Sequence, residues 1–246
     1  MIEKTVEIAT AAGRMDSFVC RPEGQAPFPA IIFYMDAPGI REELRDMARR
    51  IAAAGYYVVL PNLYYRHGAE GMLTEAATDP KSAEFQKMFR LMESLSNALV
   101  VEDTRAILTW LDGESAARAE RIGTVGYCMS GPFVVAAAAR LPTRIACAAS
   151  IHGVALVTDR ADSPHRLGAD ITAELYFAWA ERDRFAPQSD IAKLRTALDA
   201  AGTSFEIELY PGTEHGFAFP QRYSFNIAAA ERHWERLFAL FARSLR

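Results

Sequence analysis

Arg121-Ile122-Gly123-Thr124-Val125-Gly126-Tyr127-Cys128-Met129-Ser130-Gly131-Pro132-Phe133-Val134-Val135-Ala136 changes character at its midpoint. Up to Val125 it is a short strand-forming run. From Pro132 it reads as a helix, with proline in the first turn, where its missing N–H costs nothing. Cys128 lies between, with Gly126 two residues before it and Ser130 two after. A strand turning sharply into a helix needs small residues at those flanks, because the two elements pack closely. The apex residue is then held in a strained conformation. Unpaired N–H groups opening the helix favour a thiolate there and can bind a developing oxyanion. Cys128 is therefore the candidate nucleophile. A free cysteine is more often a small buried hydrophobe, and Cys20 and Cys147 are read that way.

Outward from this turn, short β-branched runs alternate with longer amphipathic segments, the pattern of a mostly parallel sheet covered by helices. Toward the N-terminus, 2–8 and 15–20 flank a turn at Ala11-Ala12-Gly13 and predict a hairpin, and 30–34 is a continuous apolar run suited to a buried strand. Residues 41–54 place Leu44, Met47, Ala48, Ile51 and Ala52 on one helical face, Gly55 stops that helix, and 56–60 is the next strand, ended by Pro61. Residues 85–111 carry helical periodicity in two pieces, the first within a segment, 79–97, that reads equally as a small cap or as core. Toward the C-terminus, 145–151, 175–179 and 205–210 are strands, while 188–200 and 227–245 are helices. The expectation is an α/β-hydrolase fold: a mostly parallel twisted sheet of about eight strands, helices on both faces, and 1–246 as a single domain.

A nucleophile on such a turn calls for an acid after a later strand and a histidine after the last, in that chain order. Asp183 follows the strand at 175–179, with Glu181 a nearby rival, and His215 follows the strand at 205–210. The chemistry needs both. The imidazole moves the proton between thiol and leaving group, and the carboxylate fixes its tautomer and stabilises its charged form. His152 follows a strand and is placed to approach the cleft, whereas His67, His165 and His233 read as bland. Tyr64, Tyr65, Phe217 and Phe219 are candidate aromatic walls, with core packing the equal alternative.

The bulk composition narrows the function classes. Of 246 residues 50% are hydrophobic and 24% charged, with a formal net charge of −4, which favours a globular core and gives no electrostatic reason for a nucleic-acid partner. The most apolar run, 133–139, is closed by Arg140 and is far short of the roughly 20 residues a membrane span needs. The opening Met1-Ile2-Glu3-Lys4-Thr5 lacks the pattern of a secretory signal. Three scattered cysteines suit neither a disulfide framework nor a zinc site, and point to a reducing cytoplasm. No phosphate loop, metal-ligand cluster or dinucleotide fingerprint is present, so no metal or other cofactor is expected.

Taken together, the strand ending at Asp36, Gly55-Tyr56, Pro61-Asn62-Leu63-Tyr64, the Gly126-Tyr127-Cys128 turn, the Asp183 loop, and Pro211-Gly212 through His215-Gly216-Phe217 resemble the dienelactone hydrolase family over nearly the whole chain. The resemblance implies a carboxymethylenebutenolidase-like hydrolase of carboxylic esters or lactones with a small-molecule substrate, acting through Cys128, Asp183 and His215. It implies the backbone N–H groups of Ala37 and Met129 as oxyanion hole. It also places Asp36 where family members carry a glutamate that tunes the nucleophile. One departure bears on the substrate: Phe219 stands where those acting on dienelactones have a carboxylate-binding arginine, leaving Arg222, Lys81, Lys87 or Arg90 as substitutes. The reading from another class is a non-hydrolytic ligand-binding or sensor protein that keeps the fold.

Overall fold

The computed structural model describes residues 1–25, 27–71 and 73–245. The chain divides into two compact units, Met1–Glu120 and Arg121–Arg246. In the first, β1 (Ile2–Thr10) and β2 (Gly13–Arg21) form an antiparallel hairpin in register from Ile2 opposite Arg21 to Thr10 opposite Gly13. The Thr10 hydroxyl accepts from the Ala12 N–H and donates to the Gly13 carbonyl, closing a two-residue turn. β3 (Phe28–Tyr34) and β4 (Tyr57–Pro61) pair in parallel, and β4 pairs antiparallel with β2, giving the order β1-β2-β4-β3. Helix α1 (Glu42–Ala53) joins β3 to β4 and buries Leu44, Met47, Ala48, Ile51 and Ala52, the face its periodicity predicts.

Helices α2 (Ala83–Glu93) and α3 (Asn97–Leu111) are the two predicted pieces. Each opens on a serine cap: Ser82 Oγ accepts from the Phe85 N–H and Ser96 Oγ from the Leu99 N–H. Ser82 starts α2 two residues before the expected onset, and Ser96 is why 85–111 does not run as one rod.

The ladder of the second unit is parallel throughout, in the order β5-β6-β7-β8. Its strands are β5 (Ala117–Tyr127, which begins within the first unit), β6 (Ile145–Ile151), β7 (Glu174–Arg182) and β8 (Phe205–Glu214), with α4 (Gly131–Arg140), α5 (Ser189–Ala201) and α6 (Ile227–Ser244). Two-sided burial accounts for the wholly buried β6 and the nine buried residues of α4. Strand β8 runs four residues past its predicted end at Tyr210. Pro211 cannot donate to a ladder, but Gly212 takes a φ of 72°, the register shifts between Ala180 and Arg182, and pairing resumes at Arg182 opposite Glu214. The irregularity brings the chain to His215. With eight strands among the described residues, mostly parallel and alternating with helices, the architecture is the predicted α/β class.

Candidate active site

The turn between β5 and α4 has the geometry its residues require. Cys128 has a φ of 54°, in the left-handed region that costs a non-glycine residue about 1–3 kcal/mol. Only glycine fits at 126, since an added Cβ would lie 2.5 Å from the Ser130 carbonyl oxygen and 3.0 Å from Val134 Cγ1. Ser130 is tolerated two residues after the cysteine because its backbone is ordinary right-handed (φ −88°) and its small side chain is buried. The close approach falls one residue later. A Cβ on Gly131 would strike the Gly153 Cα and come within 2.6 Å of Ser150 Oγ. The segment after β6 therefore packs directly on the start of α4, and the Val154 N–H donates to the Cys128 carbonyl at 3.1 Å.

Cys128 is partly exposed, unlike the buried Cys20 and Cys147, whose thiols burial pushes up to about 12. Asp183 leaves the end of β7 and His215 the end of β8. The imidazole Nδ1 donates to Asp183 Oδ2 at 2.7 Å, fixing the tautomer, while the other carboxylate oxygen accepts from the Phe185 N–H at 2.9 Å. The second bond of His215 is with the Cys128 side chain. Burial lowers the basicity of His215, but the negative charge of Cys128, the bond to Asp183 and the bond to Cys128 together outweigh it and raise its pKa to about 10. The structure thus brings together the three predicted residues, all in the second unit. Glu181, the rival acid, instead accepts from the Gly212 N–H.

The other candidates are placed as follows. His152 is buried with a φ of 38°, and its ring packs edge to face with His215 (centroids 5.0 Å apart), Phe217 (5.5 Å) and Phe219 (5.3 Å). Neither of its ring nitrogens has a hydrogen-bond partner among the described residues. Burial first, then the charges of His215, His233 and Arg222, hold it well below the usual histidine range and so neutral. Phe217 and Phe219 are buried, and the Arg222 guanidinium lies over the Phe219 ring. In the first unit, Asp36 is buried in a two-pronged ion pair with Arg41 (2.5 and 3.2 Å), which also binds Glu43. Tyr64 donates to the Ala37 carbonyl (2.8 Å) and Tyr65 to Asp103 (2.8 Å). The histidines read as bland have local partners: His67 with Ser94, His165 with Ser163, His233 with Tyr127 and the Ala230 carbonyl. Among the described residues no three His, Cys, Asp or Glu side chains converge to hold a metal ion, and no helix is long and apolar enough to cross a membrane.

The family model of the dienelactone hydrolases matches residues 15–245. The chain belongs to the dienelactone hydrolase family. A family relative from Synechocystis sp., described as a "Putative carboxymethylenebutenolidase", is 27% identical over 232 residues, covering 93% of this chain and 92% of its own. One from Bradyrhizobium sp., described as a "Probable 2-oxo-3-(5-oxofuran-2-ylidene)propanoate lactonase", is 26% identical over 233 residues, covering 93% and 89%. Among solved structures, that of a "Putative Dienelactone Hydrolase" from Klebsiella pneumoniae superposes with a TM-score of 0.86 at 26% identity, covering 98% of both chains.

Reading the sequence alone passes over one residue that touches the candidate triad. Phe185, two residues past Asp183, sets its ring edge to face with His215 at 5.0 Å while remaining 46% exposed. An apolar residue in the loop two positions after a candidate acid was the available signal.

Proposed function

We propose that the protein hydrolyses activated carboxylic esters or lactones through a Cys128 thioester, with His215 as proton carrier and Asp183 as its anchor. The observation that carries this reading is the His215 ring, bonded to the Asp183 carboxylate through Nδ1 and to the Cys128 side chain. In the proposed cycle the thiolate attacks the acyl carbon and the ester C–O bond breaks. The leaving oxygen takes the bonding electrons and receives the proton held on His215, leaving a thioester on Cys128. Water then gives a proton to His215 as its oxygen bonds the acyl carbon, the C–S bond breaks, and acid and thiolate are regenerated. The Met129 N–H, next in sequence to the nucleophile, is the proposed oxyanion donor from this turn.

A thiolate is itself a good leaving group, so the tetrahedral intermediate reverts unless the substrate's own leaving group competes. That favours enol lactones and aryl esters over amides, and the lactone chemistry named for the relatives agrees with it. The same reading treats residues 1–246 as one hydrolase domain, supported by the family match over 15–245. The free thiols suit a cytoplasmic location. Turnover of p-nitrophenyl acetate tests the assignment. Cys128→Ala should abolish it, while Cys20→Ala and Cys147→Ala keep it within a few-fold. Equal losses in all three variants, or faster cleavage of an alkyl amide than of the ester, would overturn it.

A further inference from the structure

His215 is not bounded by core alone. Phe185 keeps nearly half of its surface in solvent although burying a phenyl ring is favourable by about 1.5–3 kcal/mol. Its ring meets the imidazole at 5.0 Å, and the Arg184 guanidinium lies over the same ring at 4.6 Å. The position is not slack, because the Phe185 N–H is anchored on Asp183 Oδ1 at 2.9 Å, the carboxylate whose other oxygen holds His215. An accessible aromatic surface with a cation on it is thus fixed against the residue that, on the proposed function, protonates the departing oxygen.

We infer that Arg184 and Phe185 form a leaving-group subsite, selecting esters whose departing group is a flat, delocalised oxyanion such as an aryl oxide. The inference rests on the proposed role of His215. The leaving oxygen must come within hydrogen-bond reach of that ring to receive its proton, which brings the group attached to it near the imidazole that Phe185 touches. A planar ring there gains stacking contact with Phe185. As the C–O bond breaks, its electron pair passes to the leaving oxygen and spreads into the attached ring, and the neighbouring guanidinium favours that charge. Phe185 and Arg184 take no part in bond making; they act by binding the departing group.

The test compares acetate esters that share one acyl group and differ only in what leaves. Phenyl and 1-naphthyl acetate carry flat leaving groups, whereas vinyl acetate releases a small enolate with no ring to stack. The value of kcat/KM reports the acylation step in which the group departs. In the full-length protein, Phe185→Ala should lower kcat/KM about fivefold more for the aryl acetates than for vinyl acetate. Phe185→Tyr should restore the aryl preference. Arg184→Gln should lower the aryl values more than the vinyl value, by a margin that shrinks as salt is added. Equal losses on aryl and vinyl acetates would mean that Phe185 only props up His215, and no loss on either would mean that nothing binds there; each overturns the subsite. Failure of the underlying reading looks different: wild-type protein would then turn over none of the three esters.

Discussion

Glycine at position 126 is the sharpest structural requirement of the nucleophile turn, and Gly126→Ala measures it. The added methyl would sit 2.5 Å from the Ser130 carbonyl oxygen, 2.9 Å from its carbon and 3.0 Å from Val134 Cγ1. Two of those atoms are backbone, so the obstruction cannot be relieved by turning a side chain. The 128–131 segment must move away from β5 by a sizeable fraction of an ångström. Overpacking of this kind costs about 1–3 kcal/mol, which in a chain of this size lowers Tm by roughly 2–12 °C. The same displacement carries Cys128 away from His215, and a misplacement of about 1 Å can cost a hundredfold in rate. Thermal unfolding followed by circular dichroism, with kcat/KM for p-nitrophenyl acetate on the same preparation, reads both effects. Gly113→Ala is the control, since its Cβ would meet nothing nearer than the Trp110 carbonyl oxygen at 3.5 Å. If Gly126→Ala matched Gly113→Ala in both Tm and activity, the close-packed turn would be refuted.

Replacing His152 by Phe removes two buried nitrogens that have no partner among the described residues and should stabilise the fold by about 1 kcal/mol, seen as a Tm a few degrees higher. The gain should grow in acid. Burial and the charges of His215, His233 and Arg222 keep His152 unprotonated when folded, whereas the unfolded chain takes up that proton below about 6.5, so falling pH favours unfolding only while histidine is present; a variant more acid-labile than wild type would contradict this. Asp183→Asn should cut kcat about ten-thousandfold and bring the His215 pKa down from about 10, followed by NMR of the ring. Because the raised pKa keeps His215 protonated up to about pH 10, the wild-type rate on alkyl esters, whose leaving oxygen needs that proton, should fall as pH rises through that value. Arg41→Met leaves Asp36 and Glu43 buried without their shared cation and should cost about 3–5 kcal/mol in urea unfolding, part of which Asp36→Asn should restore.

Much of this was legible from pattern because the relevant physics is local. The buried stripe of α1 follows from 3.6-residue spacing, and the Cys128 turn from small residues flanking a strand-to-helix change. The order of Asp183 and His215 could be read because parallel strands bring successive C-terminal ends to one edge. What escaped depends on contacts between distant segments. Nothing near Gly131 in the chain announces that Gly153 and Ser150 press on it, or that Ser130 therefore escapes the requirement for glycine. Pro211 reads locally as a strand end, yet the bulge at Gly212 carries β8 onward to His215. His152 reads as a residue approaching the cleft, but its burial among Tyr127, Phe217 and Phe219 is a property of packing. The aromatic contact of Phe185 with His215 joins loops 30 residues apart, which no periodicity can reveal.

The covalent step is the central claim, and trapping it is the most direct test. Protein mixed with p-nitrophenyl acetate and quenched in acid within one turnover should release about one equivalent of p-nitrophenol per chain in a burst. Mass spectrometry should find a single acetyl group on the peptide holding Cys128. An acetyl group on another residue, or undiminished turnover in Cys128→Ala with no modified peptide, would contradict it.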